Sequence, residues 1–167
     1  MATALVALGQ MVAISVANNT SARTATYATV LAQQKMEQLR GLMWGYDTLG
    51  LPLSDASTNT AAPTESPAGG TGLRPSPAGA LTSNVAGYVD YVDRFGNTIG
   101  GGETIPDNAA YVRRWSIEPL PSSPDNTLIL QVVVRTLVER GMSERAGSMA
   151  RRRDEARLVT VKTRKAQ

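Results

Sequence analysis

Residues 1–17, MATALVALGQMVAISVA, constrain the fold most, because no side chain in this run is charged. Thr3, Gln10 and Ser15 are its polar interruptions. A helix of this length spans about 25 Å, a little short of the roughly 30 Å hydrocarbon core of a bilayer. A secretory signal would begin with a basic segment, whereas the first basic residue here is Arg23. The run therefore predicts an apolar helix that is either buried in a core or covered by lipid or other helices.

The helical pattern continues beyond this run, since no Pro or Gly lies between Gln10 and Arg40. The second part is amphipathic, because apolar residues recur every three or four positions. Five residues are predicted to pack this face on a globular head: Ala28, Ala32, Met36, Leu39 and Met43. Three polar residues are placed off this face: Lys35, Gln38 and Arg40. The pattern predicts one helix from near the N-terminus to about Met43, with an apolar half (residues 1–22) and an amphipathic half that packs on the head (residues 23–44).

A change of composition marks the rest of the chain. Residues 45–84 are rich in Pro, Gly, Ser and Thr and predict a long surface loop. Residues 85–167 then carry strand signals and predict an antiparallel-sheet head. Four strands are predicted: Val85–Asp93, Ala110–Leu120, Leu128–Leu137 and Arg157–Arg164, the last with Val159 and Val161 facing the core. The fold class is predicted to be α+β, with a long N-terminal helix packed on a four-stranded antiparallel sheet.

Composition argues against an enzyme. The chain has no Cys and no His, which excludes Cys nucleophiles, Ser-His-Asp triads and zinc sites of the usual kind. Four carboxylates of the head have no spacing that a hydrolase or a metal site requires: Asp90, Asp93, Glu103 and Glu118. We therefore predict no catalytic residue, no metal and no cofactor.

Two parts of the sequence resemble the type IV pilin-like proteins, and among them the minor pilins of the pilus-modification type and the minor pseudopilins of type II secretion. The first part is the helix, with the run AQQKMEQLR at residues 32–40. The second part is the head, with GYVDY at residues 87–91, YVRRW at residues 111–115 and RLVTVKTR at residues 157–164. The resemblance does not include residues 45–84.

This resemblance implies a structural protein, a single-pass subunit that initiates or modifies assembly of a type IV pilus or a secretion pseudopilus. Its implied partners are other pilin or pseudopilin subunits. Before assembly the subunit would be anchored in the bacterial inner membrane with its head in the periplasm. After assembly it would belong to a filament at the cell surface or in the periplasm. The residues expected to pack in the membrane or the filament are Ala4, Leu5, Leu8, Gly9, Val12 and Val16.

The sequence departs from this family at its beginning. Family members have a basic leader cut after a glycine, then a methylated residue and a glutamate at the fifth mature position. Here the first acidic residue is Glu37, so neither the cleavage site nor the assembly glutamate is assigned. The expectation is that the sequence begins partway into the apolar half-helix and that the missing parts are encoded upstream.

Two other interpretations stay open. The apolar run could be a buried core helix, which would leave the full chain monodisperse in plain buffer rather than dependent on detergent or partners. Nucleic acid binding, although less favoured, could use six arginines of a segment that also contains acidic residues: Arg140, Arg145, Arg151, Arg152, Arg153 and Arg157.

Overall fold

The computed structural model describes residues 2–61, 69–137 and 155–164. One helix begins the described chain and is followed by strands joined by loops. The elements are α1 (Ala2–Gly41), β1 (Trp44–Tyr46), β2 (Pro52–Ser54), β3 (Val89–Val92), β4 (Thr98–Gly101), β5 (Tyr111–Pro119), β6 (Thr127–Thr136) and β7 (Glu155–Thr163).

The predicted pilin-like fold class, with a long helix on a four-stranded sheet, is wrong. The body is mostly sheet, with a five-stranded antiparallel sheet in the order β4-β3-β5-β6-β7 and a second sheet formed by β1 and β2. The four predicted strands correspond to β3, β5, β6 and β7, and the sequence pattern missed the other three. Those three are short and read WGY, PLS and TIGG, so Gly and Pro leave them too few side chains to alternate.

One face of the five-stranded sheet forms the main core together with the second half of α1. Trp115 and Ile117 of β5 lie on this face and are fully buried. The register pairs them with Val132 and Leu130 of β6, which are equally buried. The opposite face has a smaller apolar cluster around Tyr91. The helix packs on the face of the main core, where it contacts β5, β6 and β7.

The prediction that Val159 and Val161 face the core is wrong. They lie on the open face of β7, with 58% and 57% of their surfaces exposed. Ala156 and Leu158 face the helix instead, opposite Val134 and Val132 of β6. Alternation along a strand shows which residues share a face, but not which of the two faces is buried. In β7 the buried face is formed by the residues one position away from the predicted ones.

The loop between β2 and β3 supplies part of the core. Ala61, Leu73 and Ala80 from this loop are buried in the main cluster. The loop also covers the free edge of β5 beyond its pairing with β3, where Ser76 N donates to the Ile117 carbonyl at 2.9 Å. An apolar residue that is spaced irregularly in a polar segment gives no periodic signal, so the sequence did not indicate these contacts.

The helix ends at Gly41, and Lys162 of β7 donates to the Arg40 carbonyl there. A cation at this end donates to a carbonyl that has no partner within the helix. Its positive charge also interacts favourably with the negative end of the helix dipole. Met43 lies beyond the helix and is 55% exposed, so the predicted packing face does not extend to it.

The predictions of a single-pass membrane anchor and of an inner-membrane location are wrong, because α1 does not meet the requirements for crossing a bilayer. In the ranges described above, no helix combines the length and the apolarity that a bilayer crossing requires. The physical reason lies in the sequence, because the uncharged run contains Gln10 and gives way to Asn18, Asn19 and Thr20 before it reaches the thickness of a bilayer core.

Candidate functional site

The second half of α1 fits into the head through a compact face. Ala28, Ala32, Met36 and Leu39, which the sequence placed on this face, are all buried in the main core. Leu31 is also buried beside them, although the predicted packing face does not include it. Because two of the five side chains are only methyl groups, the helix can approach the sheet closely.

A buried group of charges lies within this face. Lys35 of α1, Asp90 of β3 and Arg113 of β5 converge beneath the helix, and we call them the buried ion cluster. Lys35 and Asp90 are only 2% and 1% exposed. The prediction that Lys35 lies off the packing face is therefore wrong.

The geometry of the cluster centres on the Asp90 carboxylate. Arg113 donates from Nε to Oδ1 at 2.7 Å and from Nη2 to Oδ2 at 2.8 Å, a bidentate pair between residues that are opposite each other in the sheet. Lys35 Nζ lies 2.7 Å from Oδ2. Two cations thus share one carboxylate, and all three elements are joined at this carboxylate.

Neutral acceptors surround the lysine as well. Lys35 Nζ donates to Gln38 Oε1 at 2.7 Å and to the Thr60 carbonyl at 2.5 Å, and it lies 4.4 Å from the centre of the Trp115 ring. The Thr60 contact connects the loop between β2 and β3 to the cluster. Burial lowers the pKa of Lys35 from 10.5 to about 8; Asp90 opposes this shift and Arg113 adds to it.

The cluster connects structural elements and is not accessible to a substrate. Its charged groups are covered by the helix, so they offer no face to a substrate. The other carboxylates considered from the sequence lie elsewhere: Asp93 Oδ1 accepts from the amides of Phe95 and Asn97 in a turn, while Glu103 and Glu118 are exposed. Among the described residues, no group of three or more acidic residues could hold a metal ion.

A signal for the cluster was present in the sequence. Lys35 lies four residues after Leu31 and four before Leu39, so it shares their side of the helix. Asp90 and Arg113 each lie two residues before a buried residue, Val92 and Trp115, and therefore share their face of the sheet. Three charged residues at core positions on three predicted elements would have suggested a buried ion group.

The first half of α1 contrasts with this arrangement. The residues whose side chains the structure describes there are exposed: Gln10, Met11, Ser15, Val16, Asn19 and Ala22. Met11 is 73% exposed. Of the predicted filament residues, Val16 is exposed, whereas the side chains of Ala4, Leu5, Leu8, Gly9 and Val12 lie outside the described part.

The arginines proposed for nucleic acid binding fall in two groups. Arg140, Arg145, Arg151, Arg152 and Arg153 lie outside the described residues. Arg157 is exposed on β7, and its Nη2 donates to Gln131 Oε1 at 2.5 Å.

Searches against protein-family models, curated proteins and solved structures found no match to this chain.

Proposed function

We propose that this chain is a non-enzymatic assembly subunit of the minor pilin or pseudopilin kind, which initiates or modifies a filament through its N-terminal half-helix. Its partners would be other subunits that present a similar helix. The observation that carries the proposal is the contrast within α1, whose second half buries one face in the head while its first half exposes apolar side chains such as Met11.

The exposed half supplies the contact. Residues 2–17 contain no charge, and many of them are small. Small side chains allow helices to pack closely, and apolar surface that leaves water on association is stabilising by about 25 cal/mol per Å². A second helix of similar character would cover this surface.

The buried half supplies the rigidity. A subunit transmits the position of its helix to its head only if the two are firmly joined, and the buried ion cluster joins α1 to two strands and a loop. A charged group in the core fixes one arrangement, because sliding the helix by one turn would leave the charges unpaired.

The experiment compares the full chain with a chain that begins at Ser21, by sedimentation velocity in plain buffer. We expect the full chain to form large species or to require detergent or an added partner subunit, and the shorter chain to sediment as a folded monomer. A full chain that sediments as a single monomeric species would refute the assembly role.

A further inference from the structure

A cleft lies where α1 leaves the head. Its volume is about 360 Å³, and it is lined by Arg23, Thr24, Tyr27, Arg94 and Tyr111. The helix contributes the first three residues, the turn after β3 contributes Arg94, and the start of β5 contributes Tyr111. We call it the exit cleft.

Among the described residues, neither of the two guanidinium groups of the exit cleft has a carboxylate partner. Both Arg23 and Arg94 are exposed, and none of the ion pairs among the described residues involves either of them. Arg94 lies over the Phe95 ring at 4.8 Å, a contact that leaves its N–H groups free to donate. A pair of guanidinium groups facing one cleft favours an anion there and disfavours a cation.

The turn that contains Arg94 is fixed against the helix. Gly96, with a φ of +94°, lies so close to α1 that a Cβ atom at its position would be 2.6 Å from Tyr27 Oη. Asp93 stabilises the same turn, since its Oδ1 accepts from the amides of Phe95 and Asn97 at 2.8 and 2.9 Å. Arg94 is therefore held beside the helix that contains Arg23.

Two phenols complete the wall. The rings of Tyr27 and Tyr111 lie 5.4 Å apart and are tilted by 49°. Burial and, to a smaller extent, Tyr27 raise the pKa of Tyr111. A tyrosine hydroxyl can donate a hydrogen bond to an anion.

A neighbouring cleft shows why the exit cleft is the better anion site. The neighbour is larger, about 530 Å³, and shares Arg94. Its wall also contains Asp93 and Asp107, whose negative charges oppose an anion. The described residues that line the exit cleft include no Asp or Glu.

We propose that the exit cleft binds an oxyanion, a carboxylate or a phosphate group, with Arg23 and Arg94 as its ionic partners and the phenols of Tyr27 and Tyr111 as additional donors. Planar guanidinium groups match both kinds of oxyanion. The inference is independent of the assembly role, because it depends on the exit cleft alone and not on the exposed half of α1.

The experiment is equilibrium dialysis of the full chain against labelled inorganic phosphate and, separately, against acetyl-tetraglutamate, with acetyl-tetraglutamine as the uncharged control. The variants are Arg23→Gln and Arg94→Gln, and the matched control is Arg74→Gln, which changes an exposed arginine outside the exit cleft. Circular dichroism verifies that each variant keeps its secondary structure.

We expect saturable binding of phosphate, tetraglutamate or both, and none of tetraglutamine. Each cleft substitution should weaken binding about tenfold or more, the loss typical of one charge-assisted contact, whereas Arg74→Gln should leave it unchanged. Tighter binding of one probe identifies the anion as phosphate or carboxylate. Absence of binding to both charged probes, or an equal loss in all three variants, would overturn the proposal.

Discussion

The two halves of α1 belong to one continuous helix but depend on different surroundings. In residues 23–41 the buried side chains recur with helical spacing and include a lysine whose charge is paired inside the core. In residues 2–22 every side chain that the structure describes is exposed. The second half is thus stabilised by its own head, whereas an isolated apolar helix gains little stability until something covers it. Continuity of a helix therefore does not imply a common role along it.

The largest effect on the buried half should come from the charge that holds it. Replacing Asp90 by Asn leaves Arg113 and Lys35 buried without a carboxylate, and we expect the free energy of unfolding to fall by about 3–5 kcal/mol. Denaturant titration of the chain that begins at Ser21 measures this without interference from assembly. The control Asp107→Asn changes an exposed carboxylate and should alter stability by less than about 0.5 kcal/mol. Equal effects of the two substitutions would show that the cluster does not hold the helix.

Two adjacent residues of α1 test the packing face directly. Leu31 is 1% exposed and Val30 is 41% exposed. We expect Leu31→Ala to lower the free energy of unfolding by about 3 kcal/mol, because it leaves a cavity in the core. Val30→Ala should change it by less than about 0.5 kcal/mol. Similar losses at both positions would contradict the assignment of the buried face.

The lowered pKa of Lys35 predicts a pH dependence of stability. Because the folded pKa is about 8 and the ordinary value is 10.5, the unfolded chain binds more protons between these values. The contribution of Lys35 to the free energy of unfolding should therefore rise with pH across this window, by up to about 3 kcal/mol. The slope is obtained by subtracting the profile of Lys35→Met from that of the unmodified chain. A difference that stays flat from pH 8 to 10.5 would refute the shift.

A smaller effect is expected from the same lysine at neutral pH. Lys35→Met keeps the bidentate pair of Asp90 with Arg113 and replaces a desolvated charge by an apolar side chain of similar length. The remaining pair is charge-balanced, and the desolvation penalty of the lysine is removed, so we expect a change of less than about 1.5 kcal/mol at pH 7 by denaturant titration. A loss as large as that from Asp90→Asn would mean that the lysine, rather than the carboxylate, centres the cluster.

The sequence was informative where a period repeats. The spacing of Ala28, Ala32, Met36 and Leu39 indicated the packing face. Four of the seven strands in the described part of the chain were predicted, two of them from alternation and two from their content of strand-forming apolar residues. The sequence did not indicate which of the two faces of β7 is buried, because alternation fits either face equally well. It also suggested that Lys35 is exposed, because lysine is a charged residue type. Burial of that lysine depends on Asp90 and Arg113, which are 55 and 78 positions away along the chain. The spacing of Lys35 with Leu31 and Leu39 gives its side of the helix, but not the partners on other elements that pair its charge.

In the proposed function, the first half of α1, and not the head, makes the assembly contact. The chain offers a matched pair of exposed methionines on either side of the buried half, Met11 at 73% and Met43 at 55%. A glutamate at position 11 places a charge in the proposed contact, whereas Met43→Glu places it on the head. Neither change removes a buried group.

Sedimentation velocity of the two full-length variants beside the unmodified chain is the most direct test. We expect Met11→Glu to shift the large species toward the monomer and Met43→Glu to sediment as the unmodified chain does. Retention of the large species in Met11→Glu, or their loss in Met43→Glu alone, would contradict the claim.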